Sequence, residues 1–213
     1  MKSIMLGDVS VKELHGPWMD FMDKLQGEDG RKWFDAFKRF LRKENPWNVE
    51  SKIITIDRTA PFDLVAFMGK DWSIWKGPKD GDGLSGEEEQ DNRSLALTEI
   101  DLNKVSFKTM LENDEKSVLG EEKLKRLIAS GKIRPDAKAF QTLWENKHLV
   151  PESWKKKTNG NTTYIFLDGT ILRNPGGDRY VLCLCWDDGR WYWDYRWLGN
   201  RFDASSPSLV LAS

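Results

Sequence analysis

Residues 190–197, Arg-Trp-Tyr-Trp-Asp-Tyr-Arg-Trp, place large aromatics at the odd positions and Arg, Tyr, Asp and Arg at the even ones. A period of two sends alternate side chains to opposite faces of a β-strand. The stretch is therefore predicted as a strand with one aromatic face and one mixed polar face. The aromatic face reads as the packed side, because indoles carry a large apolar surface. The polar face reads as the side that makes contact. Asp187-Asp188-Gly189 has turn chemistry, so Tyr180–Trp186 is expected to pair with this strand as a hairpin.

At 213 residues the chain is long enough for one sizeable domain with a small appendage, and for a core without staples. Its net charge of −1 gives no reason to expect nucleic acid as a partner. A mean hydropathy of −0.62 and 31% charged residues predict a soluble chain with no membrane-spanning run. Met1–Asp8 holds no apolar stretch long enough for a secretory signal, and nothing assigns a compartment. The two cysteines, Cys183 and Cys185, are two apart in a predicted strand and so point the same way, which suits small apolar filler better than a disulfide.

Residues 1–48 read as an N-terminal helical segment and 49–213 as the main domain. The clearer early helix, Glu28–Lys43, sets Trp33, Phe34, Phe37, Phe40 and Leu41 on one side at helical spacing. Lys52–Ile56 has the β-branched content of a strand, and Phe62–Trp75 is expected as strand with irregular segments. An acidic, glycine-containing loop follows. Asp80, Asp82, Gly83 and Glu89 fit part of a calcium-loop spacing, but Pro78 stands where the first ligand is needed, so an EF-hand is not expected. Helices are predicted over Glu121–Ser130, stopped by Gly131, and after the capping residue Asp136. Asn159-Gly160 and Asp168-Gly169 read as hairpin turns, and Leu209–Leu211 as a last strand. The fold class is α+β, with an antiparallel meander at the C-terminal end. His15 and His148 lie in unrelated contexts, and no nucleophile elbow, phosphate loop or metal-ligand set is present, so neither an enzyme nor a cofactor is expected.

Lys, Glu, Gln and Met are common up to Lys157 and absent after it. The genetic code offers a reason. An Asn codon ending in a pyrimidine, altered at its two adenines, reaches Phe, Ser, Tyr, Cys, Leu, Pro, His, Arg, Ile, Thr, Val, Ala, Asp and Gly. It cannot reach Lys, Glu, Gln, Met or Trp. The polar residues of the terminal stretch fall inside the accessible set, and its tryptophans fall outside.

Trp186–Leu198, the ending Pro207–Ser213 and the upstream run Ala137–Trp154 together resemble the variable proteins of diversity-generating retroelements, of the archaeal type. The resemblance implies a C-type-lectin-like fold whose variable ligand-binding region, about 180–206, is rewritten by adenine-directed mutagenesis. It implies a protein or surface ligand of unknown identity. Carried over by position, the variable residues are Asp187, Asp188, Arg190, Tyr192, Asp194, Arg196, Gly199, Asn200, Arg201, Asp203, Ala204, Ser205 and Ser206. The scaffold residues are Trp186, Trp191, Trp193, Tyr195, Trp197 and Leu198. The calcium-ligand patterns of sugar-binding lectins, Glu-Pro-Asn and Trp-Asn-Asp, are missing. The alternative is a fixed carbohydrate-binding module that stacks sugars on exposed Trp191 and Trp193.

Overall fold

The structure, a computed structural model, describes residues 5–6, 9–42, 52–77 and 89–212. The expected boundary at residue 48 lies outside the described residues, as do Asp80, Asp82 and Gly83 of the acidic loop. The chain divides into two units, Met1–Ser51 and Lys52–Ser213.

In the first unit, strands β1 (Met5–Leu6) and β2 (Val9–Ser10) pair and lead into helices α1 (Val11–Gln26) and α2 (Gly30–Leu41). The predicted aromatic stripe brings the helices together, with Phe21 and Phe37 ring centroids 4.7 Å apart. It does not make a core. Among the described residues of this unit only Gly30 is buried, while Trp18, Phe40 and Leu41 are more than half exposed.

The second unit contains β3 (Ile53–Thr55), α3 (Leu64–Met68), β4 (Ser73–Ile74), β5 (Glu99–Asp101), β6 (Ser106–Lys108) and β7 (Ser117–Leu119). It continues with α4 (Gly120–Ala129), α5 (Ala137–Glu145), β8 (Tyr164–Arg173), β9 (Arg179–Asp187), β10 (Arg190–Trp197), β11 (Arg201–Asp203) and β12 (Ser208–Val210). Helices and sheets together make it α+β. Its main sheet runs β10-β9-β8-β12-β6, with β4 also on β8. The three long strands form an antiparallel meander, but β12 joins β8 in parallel, so the sheet is mixed.

This sheet separates two apolar layers. Leu182, Leu184 and Trp191 point to one side, where Phe140 and Leu143 of α5 pack with Ile54 and Ile100. Phe166, Val181 and Cys183 point to the other, against Leu124 of α4 and Phe202 of β11. The α5 cap forms as expected: the Asp136 carboxylate accepts the Ala139 N–H at 2.9 Å and also binds Arg58 Nη1 at 2.7 Å.

Two expectations change. Phe62–Trp75 is not mainly strand, because Asp63 caps α3 by accepting the Ala66 N–H at 3.0 Å. Asp168-Gly169 is no hairpin turn, because β8 runs through it with a shift of register between Leu167 and Leu172. A β-carbon on Gly169 would lie 2.1 Å from the Arg134 carbonyl oxygen, so this glycine serves a close backbone crossing rather than a turn.

Candidate ligand-binding face of the terminal sheet

The β9–β10 hairpin closes through Asp188 (φ 49°) and Gly189 (φ 75°), the left-handed pair that matches the twist of a two-residue hairpin. The turn fixes the register: Tyr192 faces Cys185, Asp194 faces Cys183 and Arg196 faces Val181. In the neighbouring strand Tyr164 faces Cys185 and Phe166 faces Cys183. The even positions of β10 therefore share a sheet face with both thiols, Tyr164 and Phe166. At one end this face is covered by α4 and β11. Beside that cover opens a cleft of about 450 Å³, lined from this face by Tyr164, Phe166, Cys183, Asp194 and Arg196 and, round the strand edge, by Tyr180, Tyr195 and Trp197.

The charged groups of this face are held by local contacts. Arg190 lies over the Tyr192 ring, 4.5 Å from its centroid, and donates to the phenol oxygen. Arg196 lies over the Phe202 ring at 5.3 Å and donates to Ser206 Oγ at 3.4 Å. Arg201 donates from Nε and Nη2 to the hydroxyl and carbonyl of Ser117, each at 2.8 Å. Asp187 accepts from Thr162 Oγ1 at 3.2 Å, and Asp194 accepts the Tyr195 N–H at 2.8 Å. Among the described residues neither Asp194 nor Arg196 forms a close ion pair, although Arg196 helps the Ser205 hydroxyl to lower the Asp203 carboxyl, and the carboxylate and the guanidinium share one cleft. Burial pushes the Cys183 thiol well above its ordinary range and, with Asp194 and Asp187 nearby, lifts Cys185 to about 11. Both thiols are protonated near neutral pH and are poor nucleophiles. The arrangement is suited to holding a ligand by shape and charge.

Of the expected variable residues, Asp187, Asp188, Arg190, Asp194, Asn200, Arg201 and Asp203 are exposed, and Tyr192, Arg196, Gly199 and Ala204 are half-buried. Ser205 and Ser206 depart from the expected contact surface: both are buried. The Ser205 carbonyl accepts the Tyr164 N–H at 2.8 Å, which seats the segment against β8, and both hydroxyls donate to Asp203. Those bonds, the Ser205 hydroxyl first, hold the Asp203 carboxyl below its usual range. Gly199 is tightly placed too, since a β-carbon there would meet the Trp197 ring at 2.4 Å.

The aromatic face also divides. Trp191 is buried against Trp186, and half-buried Trp193 packs edge-on to Phe67 of α3 at 5.1 Å. Tyr195 and Trp197, expected as packed scaffold, are 40% and 42% exposed. The cover from α3 and α5 ends at Trp193; beyond it, among the described residues, the Tyr195 ring contacts the rings of Trp72 and Tyr180. Leu198 is buried on the opposite layer.

A buried polar group beneath the sheet was not foreseen. Lys123 Nζ stands 3.8 Å from Asp168 Oδ1, over the rings of Phe166 and Phe202, and Arg134 donates to the Asp168 carbonyl at 2.9 Å. The available signal was a lysine one helical turn before Leu127 on the apolar stripe of α4. Among the described residues no group of His, Cys, Asp and Glu could hold a metal ion, and no helix is long and apolar enough to cross a membrane. The chain matches no family model, no curated protein and no solved structure.

Proposed function

We propose that this chain is a non-enzymatic ligand-binding display protein on a C-type-lectin-like frame, its terminal sheet face diversified by adenine-directed retroelement mutagenesis of the archaeal type. One observation carries the reading. Along β10 the even residues, all of them reachable from an altered Asn codon, fall on one face, from which Asp194 and Arg196 line the open cleft. The unreachable Trp191 and Trp193 lie on the face that α3 and α5 cover; Trp197, also unreachable, is the exception, exposed at the cleft with Tyr195. Exposed positions tolerate substitution at a cost within about 0.5 kcal/mol, whereas core positions do not. A surface meant to vary is best placed where variation is cheap.

The contact surface in this reading runs from Asp187 to Ala204 and leaves out the buried Ser205 and Ser206. The carbohydrate alternative is weakened at the residues it needs. Trp191 is 7% exposed, and half-buried Trp193 packs its ring against Phe67 and Phe140.

The gene tests the proposal directly. The codons for the exposed set are expected to end in C or T, with a template repeat and a reverse-transcriptase gene nearby. An AGA or CGG codon at Arg190, Arg196 or Arg201 removes that position, and the absence of any template repeat in the complete genome overturns the reading.

A further inference from the structure

β10 is the last strand of its sheet. β9 pairs on one side, and among the described residues no strand pairs on the other. In a two-residue hairpin the residues flanking the turn, Asp187 and Arg190, form a hydrogen-bonded pair, and such pairs recur at every second position. Even residues of β10 thus bond to β9, a parity borne out where the Leu198 N–H reaches the Arg179 carbonyl at 2.9 Å. The main-chain groups of Trp191, Trp193 and Tyr195 must point outward. Outside the β9–β10 ladder, the described residues form no hydrogen bond with the N–H groups of Trp191 and Trp193 or with the carbonyls of all three. The Tyr195 N–H is taken by the neighbouring Asp194 carboxylate, the bond expected of a donor turned outward.

We propose that this edge receives an extended segment of a partner protein as an added antiparallel strand, bonded through the main chain of Trp191, Trp193 and Tyr195. The inference rests on the terminal sheet being the ligand-binding face, and it names the class of ligand. Main-chain bonds supply affinity that does not depend on which side chains β10 carries, while the flanking side chains set specificity. An added strand keeps the face alternation of its neighbour. Residues beside Trp193 and Tyr195 are therefore apolar, and those beside Arg190, Asp194 and Arg196 carry the opposite charge. The segment is acidic at both ends and basic between, with an apolar residue at every second place.

A second copy of β10 fits poorly. Of the two antiparallel registers that pair seven of its eight residues, the one centred on Trp193 sets Arg190 against Arg196 twice, and the one centred on Asp194 sets that carboxylate against itself; the registers centred on Tyr192 or Tyr195 set Arg against Asp but pair only five. Like charges directly opposite one another are destabilising. Asp194 is also a guard, since an incoming strand must displace it from the Tyr195 N–H, and charge on an edge strand blunts unselective pairing.

The test uses the full chain and the capped peptide Glu-Val-Lys-Val-Thr-Val-Glu, followed by amide hydrogen exchange. At saturating peptide the Trp191, Trp193 and Tyr195 amides are expected to exchange about tenfold more slowly or better. N-methylation of the valines, whose N–H groups face β10, is expected to weaken binding by about tenfold or more, and N-methylation of Lys and Thr to leave it. A peptide with Lys and Glu interchanged should bind several-fold more weakly, and Asp194→Lys should narrow or reverse that preference. In the free chain Asp194→Ala should speed exchange at Tyr195. Binding that leaves the three amides unprotected overturns the edge inference, as does failure of the peptide to bind at millimolar concentration. Protection of the same amides by dimerisation without peptide, seen by sedimentation, overturns it in favour of a second copy. None of these outcomes touches the codon test, so the two proposals can fail separately.

Discussion

The same eight residues of β10 build two faces that follow different rules. On one, Trp191 and Trp193 are fitted among residues of α3, α5 and β9, and each change there is felt by a close-packed interior. On the other, Arg190, Tyr192, Asp194 and Arg196 are steadied mainly by their own neighbours: a ring, a hydroxyl, a main-chain N–H. Backbone parity decides which face a side chain joins. The reach of the covering helices decides whether it is buried, which is why Trp191 and Trp197 share a face but are 7% and 42% exposed. Alternation is a statement about direction, and burial needs a partner.

The sharpest break between the faces is expected at Trp191. Trp191→Ala should cost about 3–5 kcal/mol in denaturant unfolding, since it empties an indole-sized space against Trp186. A loss below 1 kcal/mol would mean that the aromatic face is not the packed one.

Next comes the covered end of the polar face. Lys123→Met alone should cost about 3 kcal/mol or more, because buried Asp168 loses the ammonium 3.8 Å away and keeps the field of Arg134 alone, whereas Lys123→Met with Asp168→Asn should return closer to the parent stability. Burial holds the Lys123 ammonium below its ordinary value of 10.5, with Asp168 opposing. Below 10.5 and above its lowered folded value, Lys123 taken alone makes the folded chain bind fewer protons than the unfolded chain and so adds a rise of stability with pH. Cys183 and Cys185, both raised above the ordinary thiol value of 9.0, add a fall above that pH, so the Lys123 share is the difference between the parent and the double variant. The double variant should lose the rise, and chemical denaturation at a series of alkaline pH values reads it.

The smallest effect is expected where the surface is open. Arg190→Ala and Asp194→Ala should each move stability by no more than about 0.5 kcal/mol. A cost of several kcal/mol at either would make the polar face part of the fold rather than a platform on it.

Much of this was legible in the chain. Asp136 before an apolar helical stripe, Asp188-Gly189 between two strands, and the alternation of 190–197 are local signals, and each produced the local structure it encodes. What was not legible depended on distant partners. Asp168-Gly169 has the same chemistry as a hairpin turn, but here the backbone of Arg134 and Pro135 crosses against Gly169, whose N–H binds the Pro135 carbonyl, and β8 runs on through it. Lys123 looked like any surface lysine until Phe166 and Phe202 closed over it. The exposure of Tyr195 and Trp197 follows from where α3 and α5 end, which no periodicity within β10 encodes.

Under the diversification proposed above, the turn at Asp188 would bear on heredity as well as on shape. Its φ of 49° is one that Asp, Asn and Gly adopt readily and that β-branched residues resist. If this codon is rewritten along with its neighbours, many copies will draw Val, Ile or Thr there and start life with a misfitted hairpin. Every contact residue downstream inherits that register, so the corner filters the library before any ligand does. The sampled repertoire is then smaller than the codons allow, and copies in circulation should show Asp, Asn or Gly at 188 far more often than free substitution at its adenines would give.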